Sequence, residues 1–225
     1  MVIKAIVWDL DGTLIEFRID YLKARKVAIN ILKNKGVPKH LLTVRISILE
    51  NIKFAREFFE KEGIPNEKIE KITKEIDNEI VKIEYEAAIN AVMINGIDKV
   101  LEYAKNKNLK QAIFTFNTFK NAEISLKKVK IIQYFDLIVG RDNITNLKPH
   151  PDHLNYICEK LKVKPNDILV IGDTVRDIEA AINVGAFSIA VHTKLANIET
   201  LQKADKIVRE NEIPLKLINE IEKLL

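Results

Sequence analysis

The sequence predicts an α/β fold: a doubly wound parallel sheet with an all-helical unit inserted after its first strand. Three observations carry this. Residues 2–8 form a short, mostly apolar and β-branched run that ends in carboxylates. Between about residues 21 and 90 the apolar positions fall only at helical spacing. Beyond Gly96, strand-like and helix-like segments alternate, which is the pattern of parallel βα units.

Each element has a local reason. The opening run is too short for a stable helix and too apolar for a sheet face open to water, so it reads as a buried strand. Asp9, Leu10, Asp11, Gly12 and Thr13 follow, and two carboxylates with a glycine end that strand in a turn. In the insert, Tyr21, Ala24, Ala28 and Ile31 begin one helical stripe. Val44, Ile48, Ile52, Ala55 and Phe59 form a second, and Ile69, Ile72, Ile76, Ile80, Ile83 and Ala87 a third. Gly36 with Pro38, and Gly63 with Pro65, supply the stops between them. Further strands are expected at 111–116, 137–139, 168–171, 187–191 and 207–208. Gly185 should close a helix that starts near Val175, and a last helix should follow Pro214.

Composition narrows the class. The chain has 225 residues, 47% hydrophobic and 30% charged, which suits a folded core rather than a disordered chain. Lys and Arg exceed Asp and Glu by 36 to 32, and acidic residues interrupt most of the lysine clusters, so a nucleic-acid partner is not expected. No run approaches the roughly 20 apolar residues that span a bilayer, and the opening run is broken by Lys4, so neither a membrane partner nor a signal peptide is expected. The single cysteine, Cys158, has no partner for an internal disulfide or a CxxC zinc site, which fits a cytoplasmic protein. It reads as a small buried hydrophobe. His150 and His153 lack a third nitrogen or sulfur ligand and read as surface or packing residues.

In an open parallel sheet, ligands bind beyond the carboxyl ends of the strands. Those ends carry Asp9 and Asp11, Thr115 and Asn117, Lys148, and Asp173 with Asp177. Carboxylates gathered there repel one another unless a cation sits among them, and an all-oxygen set favours Mg2+. A lysine and a threonine on the same rim add the charge and the hydroxyl that hold a phosphoryl group.

In chain order, Asp9 Leu10 Asp11 Gly12 Thr13 Leu14 after a strand, Thr115, Lys148 Pro149, and Gly172 Asp173 Thr174 Val175 Arg176 Asp177 resemble the four motifs of the haloacid dehalogenase-like (HAD) hydrolases. The resemblance spans nearly the whole chain. It implies a Rossmann-like core of residues 1–17 and 92–225, with residues 18–91 as a C1 cap like that of the phosphoglycolate phosphatase and β-phosphoglucomutase branch. By that resemblance the protein is a Mg2+-dependent phosphatase acting on a small phosphorylated metabolite. Asp9 is then the nucleophile and Asp11 the acid and base. Thr115, Asn117 and Lys148 bind phosphate oxygens, and Lys148 also offsets the charge on Asp9. The metal is held by Asp9, the Asp11 backbone carbonyl and Asp173, with Asp177 supporting it through water. One departure is that the family usually has Asn directly after the second-motif Thr or Ser, whereas this chain reads Thr115 Phe116 Asn117.

Two alternatives stay open on these residues. A phosphomutase of the β-phosphoglucomutase type shares the same core residues. A phospho-accepting signalling receiver domain also gathers carboxylates, Thr and Lys around Mg2+, though receivers are shorter and have no helical insert after the first strand. Arg18, Arg25, Lys53 and Arg56 lie in the insert, where an anionic substrate could meet them; singly, each reads as a surface residue.

Overall fold

The computed structural model describes residues 2–16, 18–193 and 197–225. The chain divides into two compact units, Met1–Arg18 with Ala88–Leu225, and Ile19–Ala87. The expected last core residue before the insert, residue 17, lies outside the described residues.

The larger unit is a six-stranded sheet made of β1 (Ala5–Trp8), β2 (Lys110–Phe114), β3 (Leu137–Val139), β4 (Ile168–Gly172), β5 (Phe187–His192) and β6 (Lys206–Arg209). All pairings are parallel, in the order β3-β2-β1-β4-β5-β6. The chain therefore winds outward from β1 in both directions, which opens a crevice at the carboxyl ends of β1 and β4. Val2 and Ile3 stay outside the ladder, whereas Lys4 still joins it through its carbonyl, which accepts from Lys110 N–H. Ile3 N–H donates to Leu224 O and Lys4 N–H to Asp167 O, while Val2 is exposed.

Alternation along the strands splits the core between two faces. Ile6, Trp8, Ile113, Leu169 and Ile171 pack against α4 (Ile97–Asn106), α5 (Phe119–Lys128) and α8 (Leu215–Glu222). Ala5, Val7, Ala112, Phe114, Ile168 and Val170 pack against α6 (Pro151–Leu161) and α7 (Val175–Val184). Cys158 lies buried in this second face, as its small apolar character predicts. Covered on both sides, the strands can be apolar throughout. α7 ends on Gly185 as expected.

The smaller unit contains α1 (Tyr21–Asn34), α2 (Ile48–Lys61) and most of α3 (Asn66–Ile89). Ala28, Leu32, Ala55, Phe59, Ile69, Ile72 and Ile76 meet in its core. The second stripe starts later than its periodicity predicts, because Val44 precedes α2. Ser47 and Glu50 cap that helix reciprocally. The buried Asn51 side chain then holds the preceding loop, accepting from Thr43 N–H and donating to Thr43 O and Ser47 O. Those bonds satisfy the loop backbone without a helix. Among the described residues, no helix is long and apolar enough to cross a membrane.

One polar relay runs through the apolar face. The Trp8 indole N–H donates to Gln111 Oε1 at 3.1 Å, and Gln111 Nε2 donates to Leu101 O at 3.1 Å. Gln111→Leu keeps the volume but strands the buried indole N–H of Trp8, whereas Leu101 O, inside α4, still accepts within the helix. An orphaned buried donor costs about 1–3 kcal/mol, so urea unfolding is expected to show a loss of about 2 kcal/mol at unchanged m-value.

Candidate active site

Asp9 is the residue after β1, and its N–H still donates to Ile171 O of the neighbouring strand, so the sheet ladder itself fixes its position. Beyond it the chain turns back. Leu14 and Ile15 both donate to Leu10 O, and Gly12 N–H donates to Ile15 O. Gly12 has φ +86°, and a Cβ there would stand 2.1 Å from Asp173 Oδ2. Glycine thus serves both the turn and the close approach of a carboxylate carried by the loop after β4. Gly172 has the second role alone, since a Cβ on it would lie 2.4 Å from the Asp177 side chain.

Lys148 lies in the loop between β3 and α6 and reaches into the sheet end, 3% exposed. Its Nζ donates to Asp9 Oδ1, lies 2.7 Å from Asp177 Oδ1 and donates to Phe114 O at 3.1 Å. The rings of Phe114 and Phe116 stand 4.2 and 5.2 Å from it. Burial alone would depress this ammonium, yet Asp177 and Asp9 outweigh it and raise its pKa, so Lys148 is held charged.

Asp9 completes its contacts through Oδ2, which accepts from Thr13 Oγ1 at 3.3 Å. Asp177 is fully buried in the first turn of α7, not solvated. It accepts from Thr174 N–H at 2.9 Å and Thr174 Oγ1 at 2.6 Å through Oδ2, and faces Lys148 with Oδ1. Asp173 is held least: its Oδ1 is buried with no hydrogen-bond partner. Asp9, Asp173 and Asp177 place carboxylate oxygens within 4.8 Å of one another.

Three carboxylates against one ammonium leave a surplus of two negative charges in a buried space. The consequence is visible in both less-favoured carboxylates. Burial, with Asp9 and Asp177 adding repulsion, pushes Asp173 up to about 8. Burial pushes Asp9 up to about 6 even though Lys148 pulls the other way. An orphaned oxygen inside an over-negative all-oxygen set fits a hard divalent cation.

Thr115 continues β2 through its N–H bond to Val139 O. Its buried hydroxyl accepts from Asn117 N–H at 3.1 Å. The Asn117 side chain donates to Asp11 Oδ2 at 2.6 Å. Structure thus joins Asp9, Lys148, Asp173 and Asp177 in one cluster and Asp11, Thr115 and Asn117 in a second, with Asp11 two residues along the turn from Asp9.

His150 and His153 do not converge. His150 is half-exposed and caps α6, accepting from Asp152 N–H through Nδ1. His153 is fully buried, its Nδ1 accepting from Lys148 N–H while Nε2 lies 3.3 Å from Val139 O. It braces the backbone that carries Lys148, a function that no spacing in the sequence announces. The bond from Thr13 to Asp9 was equally silent, although Thr13 stands within the first motif. Of the cations expected in the insert, Arg18 falls at the end of the larger unit and pairs with Glu16, while Arg25 donates to Val44 O and Arg56 pairs with Glu70.

The chain is similar to known proteins along most of its length. Residues 6–191 match a family described as haloacid dehalogenase-like hydrolase. The chain is 26% identical over 186 residues to a phosphorylated carbohydrates phosphatase of Thermotoga maritima, covering 81% of this chain and 82% of that protein. It is 24% identical over 197 residues to an N-acetylmuramic acid 6-phosphate phosphatase of Pseudomonas putida, covering 85% and 83%. Among solved structures, β-phosphoglucomutase from Clostridium difficile superposes with a TM-score of 0.72 at 26% identity, covering 99% of this chain and 98% of that one.

Two measurements follow. Burial and the nearby Lys148 charge hold His153 neutral down to about pH 4, against 6.5 for the free side chain. Its contribution to stability is therefore whole above about pH 6.5 and falls away by about 3 kcal/mol as the pH drops toward 4. Unfolding of His153→Leu against pH is expected to lack that acid-side slope; an unchanged slope refutes the assignment. Asp173→Asn relieves the carboxylate crowding, so without metal at pH 7.5 it is expected to melt several degrees above the parent protein and to lose any stabilisation by added divalent cation.

Proposed function

The chain belongs to the haloacid dehalogenase-like hydrolases, and from that premise we propose that it is a Mg2+-dependent phosphatase that hydrolyses a small phosphorylated metabolite. The single observation that supports this most is the meeting of Asp9, Lys148, Asp173 and Asp177 at the carboxyl ends of the central strands. The family and the relatives' activities point the same way.

In this reading Asp9 attacks phosphorus and carries the phosphoryl group as an aspartyl phosphate. Lys148 keeps its oxygens from being over-charged and offers a fixed positive charge to the transferred group, and Thr115 adds a hydroxyl at the rim. Asp11 gives a proton to the leaving oxygen and later takes one from the attacking water. Asp9, the Asp11 carbonyl and Asp173 would hold the Mg2+, with Asp177 supporting them. When bound, the ion supplies the two positive charges that the carboxylate set lacks. The helical unit is read as the cap that sets specificity. A sole cysteine, buried and free, supports a cytoplasmic setting.

Family membership decides against the receiver-domain alternative. The phosphomutase alternative keeps one specific support, the likeness to β-phosphoglucomutase. It differs only in what attacks the aspartyl phosphate, so the product separates the two.

A panel of sugar phosphates, phosphoglycolate, nucleotides and pyrophosphate, assayed with Mg2+ and with EDTA, tests the reading. Release of inorganic phosphate is expected only with the metal, and Asp9→Asn is expected to lower it by about three orders of magnitude or more. Isomerised sugar phosphate without phosphate release would favour the mutase. Full activity in Asp9→Asn would remove the proposed nucleophile.

A further inference from the structure

Asn117 commits one N–H of its side-chain amide to a carboxylate of the neighbouring turn. Its side chain is 5% exposed, and Nδ2 is committed to Asp11 Oδ2 at 2.6 Å. Its backbone is pinned on both sides. Asn117 N–H donates to Thr115 Oγ1, Asn117 O accepts from Arg141 N–H at 2.9 Å, and the Arg141 guanidinium donates to Phe116 O at 2.7 Å. Thr115 is in turn tied to β3 through Val139 O. The amide therefore rides on the sheet, whereas Asp11 sits half-buried on a turn.

We infer that Asn117 is a positioning residue for Asp11: it fixes which carboxyl oxygen carries the proton and aims that oxygen at the leaving group. The inference rests on Asp11 being the acid and base of the proposed reaction. An N–H donor suits the carbonyl oxygen of a protonated carboxyl group, not its hydroxyl. With Nδ2 on Oδ2, the acidic proton resides on Oδ1. As Asp9 attacks phosphorus, the ester P–O bond breaks and its electron pair goes to the ester oxygen. That oxygen takes the proton from Oδ1 and departs as the alcohol, leaving Asp11 a carboxylate. Oδ1 then accepts a proton from the water that attacks the aspartyl phosphate, which releases phosphate and restores Asp9. The same amide bond holds Asp11 through both transfers, so one orientation serves both.

Chemistry distinguishes this role from a phosphate contact or a packing role. A phosphate contact helps every phosphate ester alike. A correctly aimed acid matters most when the leaving group is a poor one, because an alkoxide needs the proton and p-nitrophenolate does not. The ratio kcat/KM is the quantity to compare, since in the two-step reaction it reports events only up to departure of the leaving group.

The experiment measures kcat/KM for alkyl phosphates, phenyl phosphate and p-nitrophenyl phosphate in the parent, Asn117→Ala, Asn117→Asp, Asp11→Asn and the Asp11→Asn/Asn117→Ala double variant, with melting temperatures recorded for each. Asn117→Ala is expected to lose about tenfold or more on alkyl phosphates and less than about threefold on p-nitrophenyl phosphate. Asn117→Asp, which sets a second carboxylate on Asp11, should not rescue it. In the Asp11→Asn background the Asn117→Ala change is expected to add less than about twofold, because the group it positions is gone. An equal loss on all leaving groups, or independent losses in the double variant, overturns the inference. The parent enzyme and Asp9→Asn report separately on the phosphatase reading: an inactive parent, or an active Asp9→Asn, sinks that reading first.

Discussion

The buried ammonium of Lys148 is the interaction on which the site depends. It stands between Asp9 and Asp177, contacting both, and without it three carboxylates would share one desolvated space with no positive charge at all. Breaking a buried pair by deleting one partner costs several kcal/mol because the other charge is left unpaired. Here the deletion would leave two carboxylates unpaired, beside a third that already lacks a partner for Oδ1. The fold invests accordingly in holding Lys148. Phe114 supplies a carbonyl and a ring face, and His153 takes the lysine's own backbone N–H.

One cation is too few for three anions, and that imbalance is informative. A structural ion pair would be expected to balance, since unpaired buried charge only costs stability. The surplus shows itself as a carboxylate pushed to about 8 beside one pushed to about 6. Such crowding persists when the rest of the fold over-determines it, and two close approaches here do so. Gly12 admits Asp173, and Gly172 admits the Asp177 side chain. Any residue with a Cβ at either position would push the carboxylates apart. These glycines are spacers for charge as much as they are turn residues.

Much of the sheet and of the site was legible in the sequence because both obey short-range rules. A strand buried on both faces must be apolar throughout, and a polar residue just beyond it must lie at the sheet end; this located Asp9, Thr115 and Asp173. Helical periodicity located α1 and α3, and it overran the start of α2 at Val44, where Asn51 satisfies the loop backbone instead of a helical turn. What stayed hidden depends on contacts between segments far apart in the chain. Nothing local shows that His153 faces the Lys148 backbone, or that Asp177 is buried rather than solvated. Both facts follow from α6 and α7 packing on one face of the sheet.

The departure after Thr115 becomes intelligible on the same terms. Phe116 occupies the position at which the family pattern places a small amide, and its ring lies near two cations, 5.2 Å from Lys148 Nζ and 5.4 Å from the Arg176 guanidinium. An aromatic ring there gives Lys148 a face to pack against without adding another hydrogen-bond partner to compete with Asp9. The amide is displaced by one residue to Asn117, and from there it reaches Asp11. The amide therefore stands one residue later than in that pattern, and from there it braces the carboxylate in the turn after β1.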